Sequence, residues 1–209
     1  MDDNVAIALL RHGMTEENKR KAYLGWTDSP LVAEQVFAEV PDSFEQIFTS
    51  DLGRCRETAY NLFPKRSPEI VHELREMNFG DWEVKTYEQL KNQDLYNNWL
   101  SEPFKVSPPN GESFDEFSHR VENAWKKITL NMIEGRIKTA AVVTHGGVIR
   151  YLLTMYAPEV RGFWEWSTPY GRGYQLIWSR EGLRRGERCI SLQEVPLMAN
   201  QTGSGSNII

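Results

Sequence analysis

Short apolar runs bounded by polar residues are the most regular pattern in the sequence. Val5–Leu10 and Thr139–Thr144 each have the length and composition of a buried strand, and Glu45–Thr49 and Glu69–Leu74 follow the same pattern. The segments between these runs, such as Asp51–Phe63, have helical character. Strands that alternate with helices predict an α/β fold with three α/β/α layers and a mostly parallel central sheet.

Several predicted helices carry their own start signals. Ser50 is a favourable N-cap residue for Asp51–Phe63. Thr86 and Ser113 each begin a capping box, which a glutamine and a glutamate complete three residues later. A further helix is predicted from Val148 to about Ala157, opened by two glycines and ended by a proline. The helix after Ser113 carries an apolar stripe that we assign to the core: Phe114, Phe117, Val121, Trp125, Ile128 and Met132.

The C-terminal part of the chain predicts a pair of strands. Gly173–Trp178 and Cys189–Val195 have strand character, and the charged segment Glu181–Arg188 between them predicts a solvated hairpin turn. Cys189 and Cys55 form no C-x-x-C pair, so we expect two buried, reduced thiols.

Residues 77–110 do not follow the alternation of strands and helices. They hold a helical segment and then two proline-containing stretches, which predict an insertion. We expect this helical insertion to lie over one end of the sheet, above the active site. The pattern as a whole predicts a single domain over residues 1–198 and a flexible tail over residues 199–209.

Composition and charge exclude several classes of function. The chain has 209 residues, a net charge of −5, 40% hydrophobic residues and 25% charged residues, which is ordinary for a globular protein. The acidic balance does not favour a nucleic-acid surface, and no apolar run approaches membrane-spanning length. The acidic start lacks the features of a secretion signal, so we expect a cytoplasmic protein. Its expected partner is a small molecule, and a homodimer is an open alternative to a monomer.

Five chemically active side chains follow the predicted strands. Arg11 and His12 come directly after the first strand, and Arg54 lies in the first turn of the helix after the second. Glu76 follows the third strand, and His145 ends the fourth. Ligands of open α/β sheets bind beyond the carboxyl ends of the strands, so these side chains are expected to converge. Each residue alone is a weak signal, and their convergence favours a shared catalytic site.

The residue types favour binding of a phosphate group. Arginine forks match phosphate oxygens, so Arg11 and Arg54 are expected to bind the phosphate. Asn18, in the polar turn after the first strand, and the amide of Gly146 at a helix start are further predicted contacts. His145 is expected to face the non-bridging oxygens, either as a cation or as a hydrogen-bond donor.

Phosphoryl transfer needs positioning and charge neutralisation more than covalent chemistry. An imidazole that attacks phosphorus must be neutral, and two nearby arginines would lower the pKa of His12 accordingly. Glu76 is the predicted general acid for the leaving alcohol and the general base for water. No cofactor or metal is expected, because the sequence lacks metal-binding motifs and a Walker-type glycine loop.

A substrate pocket is predicted beside these residues. Thr15, Trp26, Trp82 and Glu83 are its candidate lining residues. The insertion and a later loop also concentrate aromatic side chains, of which one or two could form a flat apolar wall for an aromatic leaving group. These are Phe79, Trp82, Tyr87, Tyr96, Trp99, Phe104, Trp164 and Trp166.

Four segments resemble motifs of the histidine phosphatase superfamily, whose fold is phosphoglycerate-mutase-like. They are residues 10–18 around the nucleophile, 50–59 with the second arginine, 74–83 with the acid, and 144–147 with the second histidine. They occur in the family's order along the chain. The resemblance implies a metal-independent phosphomonoester hydrolase that passes the phosphoryl group through a phosphohistidine at His12.

Within this family, residues 76–83 and 109–121 resemble α-ribazole phosphatases of the cobalamin pathway, and also broad-specificity phosphatases. A cofactor-dependent phosphoglycerate mutase is a further alternative, although the chain lacks the mutases' longer insertion before the second histidine. A non-catalytic binding module is the weakest alternative, because no expected catalytic residue is lost. The chain departs from the family at Met14, where Glu or Gln is usual, and at Val84, where Gly is common. Its segment Leu31–Ser50 is also shorter than usual.

Overall fold

A six-stranded sheet forms the centre of the protein, for which a computed structural model describes residues 3–33, 35–37 and 43–196. The strand order is β3-β2-β4-β1-β5-β6. The first four strands in this order pair in parallel, whereas β5 pairs antiparallel with both β1 and β6. This confirms the mostly parallel sheet. The strands are β1 Asn4–Arg11, β2 Gln46–Thr49, β3 Glu69–Ile70, β4 Thr139–Thr144, β5 Arg172–Ser179 and β6 Ser191–Pro196.

Seven α-helices accompany the sheet in the described part of the chain. They are α1 Glu16–Lys19, α2 Gly53–Leu62, α3 Tyr87–Leu90, α4 Asp94–Ser101, α5 Phe114–Glu134, α6 Gly146–Tyr156 and α7 Arg180–Arg184. None of them is long and apolar enough to cross a membrane.

Apolar cores cover both faces of the sheet, as the predicted three layers require. Ile7 and Val142 point to one face, where they pack with the buried side chains of α5 and α6. Leu10 and Val143 point to the other face and pack with α2. This alternation follows from the two-residue period of a strand. The predicted apolar stripe of α5 is confirmed as core, with Phe114 half-buried at its start.

The predicted helix starts are confirmed in two cases and wrong in one. Thr86 and Ser113 form the predicted capping boxes. Ser50 does not cap α2, because the helix begins at Gly53 and the Ser50 hydroxyl contacts His145 instead. Asp28 takes the capping role from a distant loop, since its carboxylate accepts the Gly53 N–H at 2.6 Å.

The prediction of a strand over Glu69–Leu74 is largely wrong. Only Glu69–Ile70 pairs with β2, and His72–Leu74 forms a 3₁₀ turn. The Thr144 hydroxyl donates to the Leu74 carbonyl at 2.8 Å, which holds this turn over the end of the sheet. The same carboxyl end therefore receives the segment that carries Glu76.

The charged segment Glu181–Arg188 is also not a simple hairpin turn. It contains most of α7, whose N-cap is Ser179, with the hydroxyl accepting the Gly182 N–H at 3.1 Å. Glu181 pairs with arginines three and four residues later, which stabilises this helix. Both cysteines are buried free thiols as expected, although Cys189 lies just before β6.

Residues 77–110 form a helical segment with a small apolar core of its own. It contains the 3₁₀ turn Gly80–Trp82 and the helices α3 and α4. Its buried side chains are Trp82, Leu90, Tyr96 and Trp99. The predicted tail, residues 199–209, lies outside the described residues.

The apolar stripe of α5 predicts that substitutions at two nearby positions differ in their effect on the free energy of unfolding. Ile128 is buried and Leu130 is 54% exposed. Ile128→Ala should lower the free energy of unfolding by about 2–5 kcal/mol, because it leaves a cavity between α5 and the sheet. Leu130→Ala should change it by about 0.5 kcal/mol or less. Urea denaturation of both variants measures the contrast, and equal losses would contradict this packing.

Candidate active site

The carboxyl ends of β1 and β4 bring the two predicted histidines together. Arg11 is paired in register with Thr144, and the His12 N–H donates to the Thr144 carbonyl at 3.0 Å. The rings of His12 and His145 meet edge to face with centroids 5.1 Å apart. The predicted convergence at the end of the sheet is therefore present in the structure.

His12 is held as a neutral imidazole with a defined tautomer. Its Nδ1–H donates to the carbonyl of Gly13 at 2.7 Å, which leaves the lone pair on Nε2. The ring is 3% exposed, and burial together with Arg54 and Arg11 places the pKa of His12 well below its usual value. Neutrality and a free Nε2 are both required of a nucleophile.

Arg54 is buried and points from α2 toward the same spot. Its Nη2 donates to the Gly25 carbonyl at 2.6 Å, and its Nη1 donates to the Thr27 carbonyl at 3.0 Å. The half-exposed carboxylate of Asp28 lies 3.5 Å from Nη1. Nη2 also contacts His145 Nδ1 at 3.2 Å, and Nε–H is buried without a partner among the described residues.

Arg11 ends β1 and contacts a different part of the chain. Its Nη1 donates to the Thr168 carbonyl, and its guanidinium lies 3.7 Å from the centre of the Tyr170 ring. Burial lowers the pKa of Arg11, and Nε–H again lacks a partner in the described part of the chain. Gly146 allows this approach, because a Cβ there would lie 3.3 Å from the Arg11 Cζ. Thr168 and Tyr170 were not predicted, since neither belongs to a recognisable motif.

We call the space bounded by Arg11, His12, Arg54 and His145 the cationic pocket. Within it, the Nε–H of each arginine is buried without a partner among the described residues, and His12 is a neutral imidazole. Buried donors without partners are costly and rare in proteins. An anionic ligand with several acceptor oxygens would satisfy both.

The contacts of His145 in this structure are those of a neutral imidazole, and its role as a cation toward a phosphate stays a prediction. A guanidinium can only donate, so the contact of 3.2 Å from Arg54 Nη2 makes His145 Nδ1 an acceptor. Nε2–H then donates to the Ser50 hydroxyl at 3.0 Å. Burial, followed by Arg54, places the pKa of His145 well below its usual value. The donor alternative stays a prediction.

Glu76 lies at the start of α6 rather than in open solvent. Its carboxylate accepts the Gly147 N–H at 2.9 Å and the Met77 N–H at 3.0 Å. A side chain at position 147 would displace the Glu76 carboxylate from this position. The Gly147 amide therefore binds Glu76, and the amide of Gly146 stays a predicted phosphate contact.

Thr15 and Asn18 bind each other at the start of α1. The Thr15 hydroxyl accepts the Asn18 N–H at 3.2 Å, and the Asn18 side chain accepts the Thr15 N–H at 3.3 Å. Thr15 is fully buried, so its prediction as a pocket wall is wrong. Asn18 lines an open pocket of about 620 Å³ together with Lys19 and Tyr170. Its contact with phosphate stays a prediction.

Two other predicted pocket residues, Trp82 and Glu83, stabilise the fold around the site. Trp82 is 1% exposed inside the insertion core, so it is not a substrate wall. The Glu83 carboxylate accepts the backbone N–H groups of residues 25–27, so it holds the loop whose carbonyls bind Arg54. Trp26 is partly exposed, and its indole N–H donates to the Glu76 carbonyl at 2.9 Å.

An aromatic cavity of about 180 Å³ adjoins Glu76. Gly147 and Arg150 also contribute to its wall. We define this aromatic cavity by Phe79, Trp99, Phe114, Phe117, Phe163 and Trp164. Three of these, Phe79, Trp99 and Trp164, belong to the eight aromatic residues of which one or two were expected to form a wall, whereas Tyr96 and Trp166 are buried in cores. The others were predicted as core or not singled out, because the sequence does not indicate which side chains line a cavity.

Known proteins share both the sequence pattern and the fold. The model of the histidine phosphatase superfamily (branch 1) matches residues 7–185. The adenosylcobalamin/α-ribazole phosphatase of Escherichia coli K12 is 31% identical over 157 residues, 69% of this chain and 75% of the relative. That of Salmonella typhimurium is 31% identical over 172 residues, 74% of this chain and 83% of the relative. The crystal structure of the α-ribazole phosphatase from Shigella flexneri has a TM-score of 0.76 at 23% identity, over 97% of this chain and 100% of that chain.

The family match covers most of the chain and contains all five predicted catalytic residues. The solved structure confirms the α/β architecture independently, and the cationic pocket lies where the parallel strands end. The chain belongs to the histidine phosphatase superfamily and is by class a phosphatase.

Proposed function

We propose that the protein hydrolyses phosphomonoesters through a phosphohistidine formed at Nε2 of His12, without a metal ion. The observation that carries the proposal is the cationic pocket itself. A buried neutral imidazole with its lone pair on Nε2 lies between two arginines that each have an unpartnered N–H. This combination suits an attack on a bound phosphate.

In the first step, Arg11 and Arg54 donate to phosphate oxygens while His12 Nε2 attacks phosphorus. The Nε2–P bond forms as the bond from phosphorus to the alcohol oxygen breaks. The ring gains positive charge, which the Gly13 carbonyl stabilises through Nδ1–H. Glu76, in its acid form, gives its proton to the departing oxygen.

In the second step, the Glu76 carboxylate takes a proton from water. The water oxygen bonds to phosphorus as the Nε2–P bond breaks, which restores neutral His12 and releases inorganic phosphate. His145 accepts a hydrogen bond from Arg54 and so orients that guanidinium. Direct donation from His145 to phosphate requires Nε2–H to leave Ser50.

The aromatic cavity supports an aromatic group on the leaving alcohol. It adjoins Glu76, so a group attached to the departing oxygen extends into it. The benzimidazole of α-ribazole 5′-phosphate is a flat group of this kind, and relatives of the chain are named α-ribazole phosphatases. We therefore propose this substrate, with a role in cobalamin biosynthesis in the cytoplasm.

The first prediction concerns the phosphoenzyme. Denaturing quench of the enzyme during turnover of a ³²P-labelled substrate, after dialysis against EDTA, should trap an acid-labile, base-stable phosphoryl group. His12→Ala should lose this label and essentially all activity. His119→Ala is the matched control, because His119 is exposed on α5. This substitution should leave the label and the activity unchanged.

Two results would contradict the phosphohistidine proposal. Label on a serine, aspartate or cysteine would identify another nucleophile. Loss of turnover on chelation, with recovery on addition of Mg²⁺, Mn²⁺ or Zn²⁺, would contradict the metal-independent reaction.

The second prediction concerns Glu76 and the leaving group. Glu76→Gln should lower kcat/KM for an alkyl phosphate by about 100-fold or more, because the departing alkoxide needs a proton. The same change should spare p-nitrophenyl phosphate, whose leaving group departs unaided. Glu73→Gln is the control, since that side chain pairs with Lys127 on the surface. Equal losses on both substrates would assign Glu76 to positioning instead.

The third prediction concerns the aromatic cavity. We expect kcat/KM for α-ribazole 5′-phosphate to exceed that for 3-phosphoglycerate by at least about tenfold, equivalent to about 1.4 kcal/mol. Trp164→Ala should reduce this ratio mainly through KM, because the ring lines the cavity. Tyr87→Ala is the control, because it removes an aromatic side chain of similar exposure outside the cavity. It should leave the ratio unchanged.

Steady-state kinetics on both substrates measure these ratios. Comparable rates on aliphatic and aromatic phosphates would instead identify a broad-specificity phosphatase. Interconversion of 3- and 2-phosphoglycerate would identify a mutase.

A further inference from the structure

The guanidinium of Arg120, a residue of α5, donates hydrogen bonds to the backbone next to Glu76. Its Nη1 donates to the carbonyls of Glu73 at 2.8 Å and Arg75 at 2.9 Å. Its Nη2 donates to the carbonyl of Glu76 at 3.1 Å. One guanidinium thus binds three carbonyls within four consecutive residues.

Glu112 completes this arrangement from the loop before α5. Its Oε1 accepts from Arg120 Nε at 2.8 Å, and its Oε2 accepts from Arg120 Nη2 at 2.8 Å. Oε2 also accepts the Asn78 N–H at 2.9 Å. All five N–H donors of Arg120 are used, and the pair binds the chain on both sides of Glu76.

The segment that carries Glu76 has little regular structure of its own. It connects the 3₁₀ turns His72–Leu74 and Gly80–Trp82, and no helix or strand ladder fixes its backbone. The Glu76 carbonyl accepts two hydrogen bonds, from Arg120 and from the Trp26 indole. The position of this backbone therefore depends on side chains from distant parts of the sequence.

We infer that Arg120 and Glu112 are positioning residues that hold the Glu76 carboxylate at the leaving oxygen. The inference rests on the proposed role of Glu76. Displacement of a catalytic group by about 1 Å can cost about 100-fold in rate. A lysine cannot replace the arginine fully, because its ammonium is a compact group that cannot span the three carbonyls and the carboxylate.

A positioning role differs from a purely structural role in its dependence on the leaving group. Arg120→Ala and Glu112→Gln should lower kcat/KM for an alkyl phosphate at least about tenfold more than for p-nitrophenyl phosphate. Arg120→Lys should show the same selectivity with a smaller loss, and it keeps the positive charge if the alanine variant folds poorly. The matched control is Lys127→Ala, because Lys127 lies two turns later on α5 and binds the Glu73 side chain but no carbonyl of this segment.

A double-mutant cycle tests whether Arg120 acts through Glu76. In the Glu76→Gln background, Arg120→Lys should cause no further loss on the alkyl phosphate. Additive losses in the double mutant would overturn the inference. If Glu76→Gln is selective for the alkyl phosphate, equal losses on the two substrates in the Arg120 and Glu112 variants would also overturn it. If Glu76→Gln lowers kcat/KM equally for the alkyl phosphate and p-nitrophenyl phosphate, the proposed acid role of Glu76 fails. The positioning role is then decided by whether the losses from Arg120→Lys and Glu76→Gln are non-additive. The phosphoenzyme trapped on His12 is a separate readout of the proposed reaction.

Discussion

The guanidinium groups of Arg54, which is buried, and of Arg11, which is partly buried, lie at one end of the sheet, and backbone carbonyls accept most of their hydrogen bonds. Arg54 binds the carbonyls of Gly25 and Thr27, and Arg11 binds that of Thr168. Asp28, the carboxylate in ion-pair contact with Arg54, is half-exposed. Carbonyl dipoles stabilise the buried cations without cancelling their charge, so the positive potential stays available to an anion.

This constraint determines the surrounding structure. The carbonyls bind Arg54 only if the loop of residues 25–27 keeps its shape, and the Glu83 carboxylate holds that loop by accepting its three N–H groups. The same charges disfavour protonation of the two neighbouring imidazoles, which lowers the pKa of His12 and of His145 together with burial. Burial, which is the larger cause, and these charges together keep the His12 imidazole neutral, as the proposed attack on phosphorus requires. Gly146 lets the Arg11 guanidinium lie against the start of α6.

The part of the site that follows from strand geometry was predictable, and the part that follows from loop contacts was not. Arg11 ends β1, His12 and His145 come directly after β1 and β4, and parallel strands end at the same edge. Glu83 and Arg120 act through backbone groups far away in sequence, and local sequence patterns do not indicate such contacts. Glu69–Leu74 illustrates the same limit in the fold, because its apolar character fits both a strand and the 3₁₀ turn that Thr144 stabilises.

In the proposed function, different parts of the chain bind the two ends of the substrate. The cationic pocket is built on strand ends, whereas the aromatic cavity combines the insertion with α5 and the 3₁₀ turn Phe163–Glu165. Val84 connects the insertion to the loop at Tyr23, through an N–H that donates to the Tyr23 carbonyl at 2.7 Å. Its φ of +62° is strained for a β-branched residue, at a position where the family commonly has glycine. Glu76 lines the aromatic cavity and also binds the start of α6, so under the proposed function a change in the insertion would alter the accepted leaving group while Arg11 and Arg54 stay in place.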